Sequence, residues 1–314
     1  MTVRIDPKLL RTVHLVPLTA FDATGQIDWD VQSEHITRMY AAGMRLFLPG
    51  AGTGEFHNLS ADEIVELVRI TRDAAGDDAV IFAPVGYQIG HAIDVGLRSV
   101  EAGANGILFM PLGHPHLSDQ GACAYYRDVL DIVQMPALIY KKGPIPSDAL
   151  LLELAEEPLV AGVKFAVNDM HSFRKIVLAD EGEIEWLCGS AERFAPFFML
   201  AGATGFTTGA GNLCPQLSLA MHAAFAAGEY QEGLRLQQII LPIEEFRARD
   251  GESYGISMLK YAMTLLGTNF GPPRAPGRTL TAGECTQIDE LMRPILAAEA
   301  ELASEFVSVG LSAK

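Results

Sequence analysis

Lysine, cysteine and long apolar runs are all scarce in this chain, and each scarcity removes a class of function. Only seven of the 314 residues are lysine, and 23 basic residues stand against 39 acidic ones for a formal net charge of −16. A field of that sign repels a phosphate backbone and an anionic lipid surface, so neither nucleic acid nor membrane is expected as a partner. An anionic small molecule would need a locally basic pocket working against the global field, which makes each Lys or Arg in a cleft significant. The four cysteines, Cys123, Cys188, Cys214 and Cys285, stand singly with no CxxC, so no disulfide framework or zinc site is suggested and a reducing cytoplasm is the expected compartment. The opening MTVRIDPKLL lacks the apolar centre of an export signal, and no stretch approaches the roughly 18 apolar residues that would span a membrane.

What is present is a folding chain, 49% hydrophobic and 20% charged. Its length fits two domains or one α/β barrel with an appendage. Short, nearly continuous apolar runs alternate with longer amphipathic stretches, the pattern of parallel strands covered on both faces. Strands are predicted at Val13 to Thr19, Arg45 to Pro49, Ala79 to Val85, Gly106 to Met110, Pro136 to Tyr140, Val160 to Phe165, Glu185 to Cys188 and Gly205 to Thr208, with a helical pattern after each. Ser60 followed by Glu63 forms a capping-box signature, and Gly43, Gly76, Gly103 and Gly228 stand where left-handed helix stops belong. Eight such units predict a (β/α)8 TIM barrel over residues 1–228. Residues 229–314 read as a three-helix extension, near Tyr230 to Arg249, Tyr254 to Leu266 and Thr281 to Ser304, broken by GPPRAPG. A doubly wound sheet is the rival, but no GxGxxG follows the first strand.

In a barrel, chemistry sits at the C-terminal strand ends. That filter selects Thr19, the turn Gly52-Thr53-Gly54-Glu55, Tyr140, Lys164 and Thr207-Thr208. A lysine set in the apolar strand VAGVKF carries a desolvation cost that exposes a neutral amine, able to attack a ketone and form an iminium without metal or other cofactor. The alternative is a lysine that snorkels to solvent. Tyr140, one strand earlier, could relay protons or simply pack. The Gly52–Gly54 turn could aim backbone N–H groups, with the Thr53 hydroxyl, at a carboxylate. Glu55 reads as a structural hydrogen-bond partner. His114 and His116, two apart after the fourth strand, could approach one metal, but no carboxylate or Cys accompanies them, so a loop facing substrate or solvent is the better reading. Strand alternation allows only one of Lys141 and Lys142 to face inward, where it would hold a distal anionic group; a solvated basic pair is the alternative. Cys188 reads as a small core residue.

With these residues in hand, the sequence resembles the dihydrodipicolinate synthase / N-acetylneuraminate lyase superfamily of Schiff-base aldolases and dehydratases over almost its whole length. LVPLTAFDATGQID is similar to that superfamily's first strand and loop, GTGE to its carboxylate-binding motif, ALIY to its tyrosine strand, GVKFAVND to its Schiff-base lysine strand and GATGFTTGAGN to its eighth strand. The resemblance implies Lys164 as imine former and Tyr140 as proton shuttle. Departures are equally specific. Gly52 stands where synthases carry a hydroxyl residue, Leu112-Gly113 replaces an aromatic relay pair after Pro111, and YKKGPIPSD lacks the synthases' substrate-holding arginine. The form AGTGEF resembles the 5-dehydro-4-deoxyglucarate dehydratase branch, whose Asn-Arg pair is replaced here by Lys141-Lys142.

The expectation is therefore a cofactor-independent lyase acting on a 2-keto acid, with dehydration of a 2-keto-3-deoxy sugar acid, with or without decarboxylation, as the preferred outcome. A pyruvate-dependent aldolase or 4-hydroxy-tetrahydrodipicolinate synthase is the runner-up, and a non-catalytic keto-acid-binding paralogue is the alternative of another class. Gly52, Thr53 and Gly54 are assigned to the substrate carboxylate, and Lys142, Thr207, Thr208 and His114 to the distal part of the substrate. No metal site is expected. The resemblance implies a homotetramer or dimer.

Overall fold

Apolar strands with one β-branched or aromatic face and a neighbour on each side leave no edge when eight of them close on one another, and that is the arrangement found. The computed structural model describes residues 5–312 except residue 183, with side chains to residue 304. The strands are β1 (Val13–Leu15), β2 (Leu46–Phe47), β3 (Val80–Val85), β4 (Gly106–Phe109), β5 (Ala137–Lys141), β6 (Val160–Phe165), β7 (Glu185–Cys188) and β8 (Gly205–Thr208), all parallel and closed in sequence order. The rival doubly wound sheet is thereby excluded.

The helices between them are α1 (Trp29–Ala41), α2 (Ala61–Ala75), α3 (Ile89–Glu101), α4 (Asp119–Val133), α5 (Asp148–Ala155), α6 (Met170–Ala179), α7 (Ala191–Ala201) and α8 (Pro215–Ala226). Their starts are fixed by side-chain caps: Asp28, Ser118, Ser147 and Asp169 each accept a first-turn N–H. At α2 the capping box expected from Ser60 and Glu63 is complete in both directions. The four expected glycine stops all have positive φ, among them 77° at Gly76 and 99° at Gly103.

Three strands end earlier than expected, β4 by the single residue Met110 and two others by more. Pro17 has no N–H to offer the ladder, and the next amide, Leu18, is taken by the Asn212 side chain at 3.0 Å, so β1 stops at Leu15. After β2 the chain turns through Gly50 at φ 70°. In the other direction, β5 gains Lys141, whose backbone pairs in register with Phe165.

Beyond the barrel lie α9 (Tyr230–Arg247), the short turn α10 (Arg249–Glu252), α11 (Ser257–Leu265) and α12 (Ala282–Ser312). The helix expected from Tyr230 to Arg249 is found, ending at Arg247, and just past its expected end Asp250 and Gly251 adopt left-handed φ of 46° and 64°. The extension is docked on the barrel: α9 packs on α7 and α8, and α12 on α8 and α9. The Glu299 carboxylate of α12 accepts the Gln216 and Leu217 amides at 2.9 Å each, satisfying the open N-terminus of α8. No helix among the described residues is long and apolar enough to cross a membrane.

Candidate active site

Strand alternation places the central lysine. Phe165 turns outward into an aromatic cluster, 5.2 Å from the Phe173 ring, so Lys164 on the opposite face of β6 points into the barrel. Tyr140 is its direct partner in the β5–β6 register. The Lys164 ammonium position lies 3.9 Å from the centre of the Tyr140 ring. Both side chains open on one cavity of about 350 Å³ at the C-terminal ends of the strands.

Lys164 is 4% exposed, and burial, reinforced by the nearby Lys142 charge, lowers its amine from 10.5 to about 7. A substantial fraction is therefore the neutral, nucleophilic amine near neutrality. At that burial the side chain does not carry its ammonium out to water as a snorkelling lysine would. Burial raises the Tyr140 hydroxyl above its ordinary range, although the Lys142 charge opposes the shift. A phenol held neutral is suited to pass protons rather than to stand as phenolate.

The same alternation separates the lysine pair. Lys142 lines the cavity and donates to Glu252 at 3.0 Å. Burial opposes its charge, but Tyr140 and Glu252 outweigh that and hold the ammonium above its usual value. Lys141 points away, buried, and donates to the Pro146 carbonyl at 2.6 Å.

Gly52 and Thr53 line the cavity. Gly54 sits behind them, where an added Cβ would come within 2.9 Å of the Pro17 carbonyl oxygen, while its own carbonyl accepts from Thr19 at 2.7 Å. It shapes the turn rather than facing the cavity. Glu55 leaves the turn at φ 70° and forms a buried ion pair with Lys260 at 2.6 Å, its other oxygen accepting from the Arg274 amide at 2.9 Å. The structural reading of Glu55 holds.

Thr207 and Thr208 both border the cavity, but they do different things. Thr208 donates to the buried Glu192 carboxylate, which also accepts from Ser218 at 2.6 Å. Burial and the charge of Glu244 push the Glu192 carboxyl upward. Cys188 is fully buried, with its thiol held far above the usual range by burial, as a small core residue should be. His114 is not brought to this cavity. It lies exposed in the β4–α4 connection, where its Nδ1 accepts the His116 amide at 3.1 Å. Among the described residues no group of three or more His, Cys, Asp or Glu side chains is arranged to hold a metal ion.

Several lining residues escape a strand-end filter. Asn168, Ser190 and Arg193 follow β6 and β7 by a few residues, and reading past the strands into GVKFAVND and GSAERF would have reached them. Glu244, Arg247 and Glu252 come from α9 and α10, outside the barrel repeat, and no local pattern marks them. Arg247 pairs with Glu244 and donates to the Gly255 carbonyl at 3.0 Å. Its guanidinium fills the space where Gly209 would otherwise carry a Cβ, 2.6 Å from Nη2.

The dihydrodipicolinate synthetase family model matches residues 9–294. The chain belongs to this family. Similar curated members include 5-dehydro-4-deoxyglucarate dehydratase of Pseudomonas putida, 27% identical over 89% of this chain and 93% of that one. Another is 4-hydroxy-tetrahydrodipicolinate synthase of Mycobacterium leprae, 29% identical over 92% of this chain and 96% of its own. Among solved structures, dihydrodipicolinate synthase from Bacillus clausii superposes with a TM-score of 0.88 at 35% identity, covering 91% of this chain and 98% of that one. Membership in the dihydrodipicolinate synthetase family makes the chain an enzyme-family lyase fold, as the motifs in AGTGEF, ALIY and GVKFAVND implied.

Proposed function

We propose that this protein is a Schiff-base lyase that dehydrates a 2-keto-3-deoxy sugar acid such as 5-dehydro-4-deoxyglucarate. The observation that carries the reading is the buried Lys164 amine, lowered to about 7 and 3.9 Å from the Tyr140 ring. The neutral amine adds to the keto carbon to give a carbinolamine, and Tyr140 passes the proton that lets its hydroxyl leave as water. The iminium then withdraws electrons, so a proton leaves the adjacent methylene carbon and the next hydroxyl departs with a proton as a second water; hydrolysis of the imine takes one water back, frees the Lys164 amine and restores the keto group, for a net loss of one water. Thr53 and the Gly52 backbone are assigned to the carboxylate beside the keto group, and Lys142, Thr207 and Thr208 to the far end. The imine supplies the electron sink, so the reaction is proposed to need no metal or organic cofactor. The dehydratase names among the similar family members favour this outcome.

A second reading, condensation or cleavage with pyruvate, is favoured by the synthase names and by the 35% identity to the Bacillus clausii protein. Leu112-Gly113, where synthases carry relay aromatics, and the absence of an arginine from YKKGPIPSD weigh against it. Incubation with pyruvate and with a panel of 2-keto-3-deoxy sugar acids, borohydride reduction and peptide mapping test both. An adduct on Lys164 with turnover that releases no pyruvate supports dehydration; pyruvate release or consumption favours the aldolase reading. Binding without an adduct favours a non-catalytic paralogue.

A homotetramer or dimer in the cytoplasm is part of the proposal. Leu178 on α6 and Phe197 and Leu200 on the adjacent α7 are 66%, 52% and 68% exposed, apolar side chains that a second copy could cover. Light scattering after size-exclusion chromatography measures the state directly.

A further inference from the structure

The cations that line the cavity differ in how firmly they are held. Arg247 is bonded to the buried Glu244 and to the Gly255 carbonyl. Arg193 grips Glu245 through two nitrogens, at 2.8 and 3.4 Å. Lys142 makes a single hydrogen bond to a side chain, the 3.0 Å contact with Glu252, and both partners are open to solvent, 51% and 68% exposed. An ammonium has three donors and no fixed fork, so it changes acceptors without the geometric loss an arginine suffers. A solvent-exposed pair of this kind is weakly held.

Glu252 is also unusual in its backbone. It closes the run Asp250-Gly251-Glu252, with φ of 46°, 64° and 69°, where two of the three residues carry side chains in a conformation that disfavours them. The outer side of this turn is tied down by Arg278 to Asp250 at 3.2 Å and Arg249 to Gln287 at 3.2 Å. The strained backbone thus presents one free-standing carboxylate across the cavity, against a lysine 110 residues earlier in the chain.

We infer that Glu252 is a specificity residue that occupies the place of a substrate's second carboxylate: on binding, the distal carboxylate of a 2-keto diacid takes over Lys142 and Glu252 is released to solvent. The inference rests on the lyase reading above and narrows its substrate to diacids. An incoming carboxylate at Lys142 also keeps a negative charge where Glu252 now acts on the Tyr140 hydroxyl, so the environment of that phenol is preserved.

Two six-carbon keto acids that differ only at the far end, 2-oxoadipate and 2-oxohexanoate, test the exchange. The readout is the concentration that half-saturates the borohydride-trapped adduct on Lys164, expressed as the ratio of monoacid to diacid, so that effects on folding or on the amine itself cancel. Wild type is expected to favour the diacid. Removing the competing charge with Glu252→Gln should raise the ratio about fivefold, and Lys142→Met should bring it close to one. Pyruvate, which has no distal group, reports on the imine alone: a wild type that gives no adduct with pyruvate, 2-oxoadipate or 2-oxohexanoate sinks the lyase reading and this inference with it. A normal pyruvate adduct with an unchanged or lowered ratio in Glu252→Gln overturns only the exchange of carboxylates.

Discussion

The Lys164 amine sits 3.9 Å from the centre of the Tyr140 ring, in direct register across β5 and β6. The two residues are 24 positions apart in the chain and meet because both face inward at the same height of the ladder. Their closeness makes them one chemical unit, and removing either should stop the reaction at a different point.

Lys164→Ala is expected to lower turnover about 10⁴-fold or more and to abolish the borohydride adduct, because the other lysine that lines the cavity, Lys142, is held in its charged form beside Tyr140 and Glu252. Circular dichroism should show an unchanged fold. Retained turnover of the natural substrate would refute imine chemistry.

Tyr140→Phe keeps the ring against the lysine but removes the hydroxyl. It should cost about 10² to 10⁴-fold in kcat with a smaller effect on KM, the signature of a lost proton carrier. A variant as fast as wild type would leave Tyr140 as packing.

The pH profile follows from the lysine. Below about 7 the amine is protonated and cannot attack, so kcat/KM should fall about tenfold per unit as pH drops below that value and level off above it. Because the Lys142 charge contributes to the shift, Lys142→Met should move the acid limb to higher pH. Rates measured across pH 5 to 9 with the substrate in wide excess and in deficit check the sign.

Lys260 and Glu55 form a buried pair at 2.6 Å beside the Gly52–Gly54 turn, and the lysine also lies 4.0 Å from the Phe21 ring. Lys260→Met leaves Glu55 charged and buried, and should destabilise the fold by about 3–5 kcal/mol. Lys260→Met with Glu55→Gln should recover part of that. Urea denaturation of the three proteins measures both terms.

Gly209→Ala tests a close approach between the end of β8 and the helical extension. The added Cβ would meet the Arg247 guanidinium at 2.6 Å, and that side chain is already bound to Glu244 and Gly255. A loss of about 1–3 kcal/mol is expected, with a raised KM as Arg247 is displaced from the cavity wall. Unchanged melting and kinetics would mean that the arginine moves freely.

The sequence by itself determined the barrel, the eight strand positions to within a few residues, and the identity of Lys164, Tyr140, Gly52 and Thr53 as cavity residues. These were legible because strand burial, alternation and capping are periodic and local, and because a charged residue within an apolar strand is conspicuous in any reading. His114 misled for the same reason: a polar residue shortly after a strand satisfies the local pattern whether its loop turns toward the cavity or away. Only the tertiary structure decided that Glu244, Arg247 and Glu252 enter the cavity. Their placement depends on how α9 and the left-handed turn after it dock on the barrel, and docking is set by packing between distant segments, which leaves no period in the chain to read.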